Sequence, residues 1–226
     1  KTIKLVWTRE NDLQNGWFRQ ASIMQLRAGI DTEGKVTAWD ATRAGGDLSP
    51  HTLAGILPGE LPRTPKPVND LILSATESLY DGWLIDSGGV EGLVSDYDFP
   101  NKKLRHISVN HGLPLAAWRA VGHSFTAFAK ETLMDELAEM AGLNGFEFRR
   151  RNLQNNPRLL GALEAVEQGL EQWDIPAGHH IGISTHGSFQ SFVAQAAEVS
   201  IEGNKIRVHR VLCAIDCGAV INPDIV

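Results

Sequence analysis

Several signatures that assign a function directly are missing from this chain of 226 residues. It has no G-x-G-x-x-G fingerprint and no G-x-x-x-x-G-K-[ST] loop, so neither a nicotinamide-binding fold nor a phosphate-cradling loop has support. Asp86-Ser87-Gly88-Gly89-Val90-Glu91-Gly92 is rich in glycine, but its order is not that of a phosphate loop. Cysteine is scarce. Cys213 and Cys217 form neither a zinc knuckle nor a disulfide framework, and they are expected to be buried as small apolar residues. No apolar run approaches the ~20 residues needed to cross a bilayer. Positive charge is in deficit, with a net charge of −6, which argues against nucleic acid, whose phosphates call for Lys/Arg clusters. The one basic run, Arg149-Arg150-Arg151, closes an acid-rich helical segment and reads as a solvated face or as a complement to a helix C-terminus.

What is present is an ordinary globular balance, 42% apolar and 21% charged, long enough for one large domain or two small ones. Ile3 to Trp7 reads as a strand. Met24, Leu26, Ala28 and Ile30 alternate with polar residues and glycine, the period of a half-buried strand. Asp31-Thr32-Glu33-Gly34 supplies a turn, and Val36 to Thr42 returns as the second arm of a hairpin. Pro50, Pro58, Pro62, Pro65 and Pro67 then predict only short regular structure between 45 and 68. Asn69 to Tyr80 reads as a short helix or an irregular segment, and Leu104 to Val109 as a strand.

Helical periodicity begins after Gly122. Ser124 is placed to cap a helix carrying Phe125, Phe128, Leu133, Leu137 and Met140, with Gly142 as its stop. A short helix over Phe146 to Leu153 and a third opening at Pro157 follow. The chain then returns to strand. Ala197, Val199 and Ile201 turn through Glu202-Gly203-Asn204 into Ile206 and Val208, and the apolar run Val211 to Ile215 predicts burial on both faces. The fold class is therefore α+β, with β-hairpins, a mixed sheet and three helices in the middle. Two parts meet near residue 110: a β-rich part with a long Pro/Gly loop over 1–110, and a loop-helices-hairpin part over 111–226.

Few residues carry a chemical reading by themselves. His179, His186 and His209 are the set a metal hydrolase would need, but adjacent His179 and His180 point apart in extended chain, and solvated or hydrogen-bonded histidines are the commoner outcome. His123 stands just before Ser124, where it faces either a ligand or the surface. Glu131 and Asp135 lie one helical turn apart and read as a solvated face, with Lys130 as partial compensation. The segment from Asn110 through His111, Gly112, Pro114, Trp118, Arg119 and Gly122 to Ser124 runs from a strand into a long helix. Amides at such a loop are free to bind an anion or an oxo group, with Arg119 adding charge and Trp118 a flat apolar wall. An ordinary connection with a buried Trp explains the composition equally well.

That segment also carries a resemblance. Trp118-Arg119-Ala120-Val121-Gly122-His123-Ser124, followed by Phe128, Glu131 and Asp135-Glu136-Leu137-Ala138, resembles the molybdenum-binding subunit of the xanthine oxidase family, in the branch of isoquinoline 1-oxidoreductase large (β) subunits and related aldehyde dehydrogenases. Val6 to Asp12, Phe146 to Leu153, and Ala197 through Asp216-Cys217-Gly218 to Ile221-Asn222-Pro223 agree in order and spacing. The resemblance implies a parent that hydroxylates N-heterocycles or oxidises aldehydes with water as the oxygen source. It implies a molybdenum–molybdopterin cofactor and a separate small iron–sulfur subunit. It further implies that the backbone amide of Arg119 approaches molybdenum and that Trp118, Ala120 and Gly122 help to wall the cofactor.

Departures from the family pattern sharpen these expectations. The Met-Gly-Gln-Gly pterin motif and the late Gly-Val-Gly-Glu segment, with its glutamate base, are not among these residues, so no catalytic residue is assigned within the chain. No substrate-binding arginine of the purine-oxidising kind stands near Gly46-Asp47, and no cysteine pattern suits an iron–sulfur cluster. The chain is expected to be an internal piece of a large subunit, inactive alone and holding no cofactor alone. Its expected partners are the rest of that subunit, the iron–sulfur subunit and a small heterocycle or aldehyde. A stand-alone binding or scaffold module derived from this fold is the main rival, and the His-metal hydrolase a second. Neither compartment nor substrate is legible.

Overall fold

The structure, a computed structural model, describes residues 2–81, 83–94, 96–109 and 112–226. Among them the elements run α1 (Arg9–Asn15), β1 (Ser22–Ile30), β2 (Val36–Gly45), α2 (Leu48–Glu60), α3 (Lys66–Tyr80), α4 (Ser87–Val90), β3 (Lys102–Ser108), α5 (His123–Met140), α6 (Gly145–Arg151), α7 (Pro157–Leu170), β4 (His179–Ser188), β5 (Ser191–Glu202) and β6 (Lys205–Asp216), then a 3₁₀ turn over Pro223–Ile225. Two three-stranded sheets form, ordered β1-β2-β3 and β4-β5-β6, which makes the fold α+β. The chain divides into two compact units. The first comprises Lys1–Met24, Thr42–Val90 and Arg105–Val121; the second comprises Gln25–Ala41, Glu91–Leu104 and Gly122–Val226.

In the first unit two expectations are overturned. Residues 2–8 form no strand, and Ile3 to Trp7 are exposed. Thr8 instead N-caps α1, its hydroxyl accepting from the Asn11 amide at 3.2 Å, with Glu10 and Asp12 in the first turn where acids suit the helix dipole. The proline-rich stretch holds the 13-residue α2 and leads into the 15-residue α3, which is longer than the short segment predicted from Asn69. Position explains the tolerance. Pro50 falls in the first turn of α2, where amides have no intrahelical acceptor, while Pro58, inside the helix, forgoes one intrahelical bond close to its C-terminal end, where little helix remains to be disrupted. Pro65 and Pro67 lie at the start of α3, where a fixed φ favours initiation.

The second unit follows its periodicity more closely. The β1–β2 turn is tied by Asp31, whose Oδ1 accepts from the Glu33 and Lys35 amides at 2.9 and 2.8 Å, with Gly34 at φ 78. Asn152 then pins this hairpin. It donates to the Gly34 carbonyl at 3.1 Å and accepts from the Val36 amide at 2.8 Å. Trp39 stacks on Phe99 at 4.3 Å between centroids, within a core that includes Val36, Tyr97, Phe148 and Leu153. Helix α7 buries Leu159, Ala162, Leu163 and Val166 and packs on β5 and β6. Gly169 lets Leu212 seat close, since a methyl there would stand 2.6 Å from its Cδ2.

Three details differ from expectation here. Helix α5 begins at His123 with Gly122 as its N-cap, so Ser124 lies inside the first turn. Strand β4 is too polar to announce itself, yet it pairs antiparallel with β5 along its full length. The Val211 to Ile215 run is not covered on both faces. Strand β6 is an edge among the described strands, with Val211 and Ile215 about half exposed at 52% and 49%. Cys213 on that edge is exposed and Cys217 half-buried, and both are free thiols rather than core residues.

Candidate functional site

Trp118, Arg119 and Ala120 lie together in one exposed turn of the first unit. The turn closes with the Val121 amide donating to the Trp118 carbonyl at 2.9 Å. Ala120 and Val121 both have positive φ, 68° and 43°, a region that L-residues avoid and β-branched valine avoids most. Two successive left-handed residues persist only where neighbours hold them. Among the described residues, no acceptor is bonded to the backbone amides of Arg119 and Ala120. Asn110 and His111, at the head of the loop, lie outside the described residues. Gly122 is buried and opens the second unit as the N-cap of α5.

The neighbours that hold the turn come from residues 17–19, which sequence reasoning did not single out. Phe18 bridges Leu115 in parallel, its amide donating to the Pro114 carbonyl at 2.9 Å while its carbonyl accepts from Ala116 at 3.1 Å. The Trp118 indole N–H donates to the Trp17 carbonyl at 3.0 Å, so this Trp is surface-set rather than buried. Arg19 spans the turn. Its Nη1 donates to the Val121 carbonyl at 2.8 Å and its Nη2 to the Arg119 carbonyl at 3.1 Å, with the guanidinium carbon 5.8 Å from the Trp118 ring centroid. Arg19 lies 102 residues from Val121, and no local spacing links the two.

The first unit also buries a second polar cluster. Arg43 is fully buried and donates to the Gly46 carbonyl at 3.0 Å and to Ser22 Oγ at 3.1 Å, so the arginine nearest Gly46-Asp47 faces inward. Burial lowers its pKa, opposed by the Asp86 and Asp47 charges. Burial alone would raise the Asp47 carboxyl, but hydrogen bonds from His106 and Ser108 hold it below the ordinary carboxylate value. Asp47 and Ser108 open onto a cavity of about 230 Å³ shared with His51, Glu77 and Asp81. Gln20 is buried with no partner for either side-chain amide atom, and its Nε2 would stand 3.1 Å from a methyl on Gly89.

The second unit gathers the remaining candidates into scaffold. Glu131 is buried, accepting from Arg149 Nε at 2.9 Å, Tyr97 Oη at 2.9 Å and the Thr185 amide at 2.9 Å, and is not part of a solvated face. Arg149 is likewise buried, unlike its run-mates, and also pairs with Asp135 at 2.7 Å. Burial and the Glu131 charge push the Tyr97 phenol well above its usual range. Lys130 is buried against Asp96 and reaches His186 Nδ1 at 3.2 Å, while His186 Nε2 meets His123 Nδ1 at 2.8 Å. The metal-hydrolase set does not converge. His179 stacks on His209 at 4.1 Å, whereas His186 stands seven residues further along β4, roughly 23 Å at the strand rise. Among the described residues no group of three or more His, Cys, Asp or Glu is placed to hold a metal ion.

Comparison with known proteins shows what the chain is similar to. The profile of the molybdopterin cofactor-binding domain matches residues 80–153, which include the Trp118–Gly122 turn and α5. The beta subunit of isoquinoline 1-oxidoreductase from Brevundimonas diminuta is 26% identical across 100% of this chain and 27% of its own length. A nicotinate dehydrogenase subunit from Pseudomonas putida is 25% identical across 99% of the chain and 19% of its own length. The chain thus spans about a quarter or less of these relatives. The aldehyde oxidoreductase of Desulfovibrio desulfuricans shares the fold, with a TM-score of 0.50 and 18% identity over 84% of this chain and 21% of that one. The profile and these relatives agree: nearly the whole chain is similar to part of such oxidoreductase subunits, and residues 80–153 to the molybdopterin cofactor-binding domain.

Proposed function

We propose that the chain contributes one wall of the molybdenum-cofactor pocket in a parent that hydroxylates N-heterocycles or oxidises aldehydes. One observation carries this reading. The Trp118–Val121 turn presents two consecutive amides, those of Arg119 and Ala120, with no acceptor among the described residues, on a backbone held in the left-handed region. Successive backbone donors of this kind suit an anionic or oxo-bearing group, and the partnerless buried amide of Gln20 in the same unit is a further polar group awaiting a partner. The donor chemistry therefore fits the cofactor. Bound there, the cofactor would supply oxidation of a carbon with water as the oxygen source.

The chain's own residues hold and orient in this proposal. Arg119 and Ala120 offer amides, Trp118 offers a flat apolar wall fixed through its indole N–H, and Gly122 opens the helix that follows. Residues 111–226 are read as the loop, helices and hairpin of a cofactor-binding domain that the parent completes. The glutamate base lies elsewhere in the parent, and a small iron–sulfur subunit takes the electrons. The stand-alone scaffold is the weaker reading, because β6 presents Val208, Val211 and Ile215 on an uncovered sheet edge, a liability for a free module.

Metal analysis separates the readings. The isolated 226-residue chain is expected to retain no stoichiometric molybdenum, while the full-length parent with its partner subunits holds about one per large subunit. Molybdenum at one per isolated chain, or none in the assembled parent, would overturn the proposal.

A further inference from the structure

We infer that Arg19 is a positioning residue that aims the Ala120 amide at the cofactor, making Ala120 a second backbone donor beside Arg119. The inference rests on the cofactor reading above. It starts from peptide geometry: in a trans peptide the C=O and the following N–H point in opposite directions. Fixing the Arg119 carbonyl therefore fixes the Ala120 N–H, and fixing the Trp118 carbonyl fixes the Arg119 N–H. Both carbonyls are tied. The Trp118 carbonyl accepts from Val121 within the turn, and the Arg119 carbonyl accepts from Arg19 Nη2 at 3.1 Å. The two amides left without acceptors are the two whose directions these bonds set.

The choice of side chain follows from the same geometry. Arg19 bonds the carbonyls on either side of Ala120, at 2.8 Å to Val121 and 3.1 Å to Arg119, and so brackets the two residues with positive φ. Only a planar fork with donors on separate nitrogens reaches two carbonyls at once in a fixed orientation; an ammonium is a point donor on a flexible stem. The strain at Ala120 and Val121 gives the turn a reason to relax when the fork is removed. Relaxation would rotate the Arg119–Ala120 peptide plane and turn the Ala120 N–H away. The parallel bridge at Phe18–Leu115 keeps the base of the loop in place, so the effect stays confined to the turn.

The test uses the full-length parent with its partner subunits, as wild type, Arg19→Lys, Arg19→Met, and Arg19→Met combined with Val121→Gly. Three readings are taken on each: amide hydrogen exchange at 119–121, molybdenum per large subunit, and the molybdenum electron paramagnetic resonance spectrum. Arg19→Met should speed exchange at Ala120 by about tenfold or more, as expected when a local opening loses its main restraint, and should shift the spectrum at retained molybdenum content. Arg19→Lys should fall between. Adding Val121→Gly should recover part of the wild-type spectrum, because glycine enters the left-handed region without strain. If Arg19→Met does not fold, Arg19→Lys and the double variant decide. Wild-type exchange and spectrum in the folded Arg19 variants would overturn the inference. A wild-type parent without molybdenum would instead sink the cofactor reading, while faster exchange in its Arg19 variants at the Val121 amide, which bonds the Trp118 carbonyl within the turn, would still support the clamp.

Discussion

Two arginines, Arg19 and Arg149, hold two regions by opposite means. Arg149 is fully buried in the second unit among Glu131, Asp135 and the Ile183 carbonyl, and every polar partner of Glu131 is itself inside the protein. Arg19 is only half-buried in the first unit and touches backbone carbonyls of a surface turn. A buried ion cluster punishes the loss of one member severely, because the charge left behind cannot be solvated. A clamp on an exposed turn loses little stability when removed, since water replaces its bonds, but the turn loses its shape. Charge inside fixes the scaffold; charge at the surface holds the shape of a turn.

The sharpest way to break this comparison is Arg149→Met. It should cost about 3–5 kcal/mol in urea unfolding by stranding the Glu131 carboxylate, and adding Glu131→Gln should return part of that loss. Next comes pH. Burial first, then the Lys130 charge, pull the His186 imidazole from 6.5 to about 4 against the opposing pull of Asp96, with His123 on its other side. Its folded pKa is depressed, so the stability it contributes is full above pH 6.5 and is lost as pH falls toward 4, to at most about 3 kcal/mol. Unfolding measured from about pH 7 down to about pH 4 should show this slope, and His186→Gln should flatten it. The smallest effect is expected for Arg19→Met, about 1 kcal/mol or less in the same unfolding assay, which is the contrast the comparison requires.

Legibility in the sequence follows the range of the forces involved. The β1–β2 hairpin, α5, α7 and the β5–β6 hairpin are set by local period and turn chemistry, and each forms close to where periodicity puts it. Ile3 to Trp7 have strand composition but no neighbouring strand to pair with among the described residues, and β propensity without a partner forms no sheet. Helix α2 is hidden because a count of prolines says nothing of their positions in a helix. Strand β4 is hidden because glycine and polar residues interrupt it, with the Thr185 amide bonding Glu131 and the His186 ring meeting Lys130, so it shows no apolar alternation. Glu131 and Arg149 read as solvated, since their burial depends on partners 18 residues or more away. At the site, Trp118 and Arg119 are visible through motif order, while Arg19 cannot be, because its role exists only after the fold brings it across 102 residues.

The account's central claim is that the Arg119 and Ala120 amides receive the molybdenum cofactor. Amide hydrogen exchange at these two positions, compared between the cofactor-loaded parent and the same parent produced without cofactor, tests it most directly. The account predicts strong protection of both amides in the loaded form and fast exchange in the empty one. Equal exchange in the two forms, with molybdenum present in the first, would contradict it.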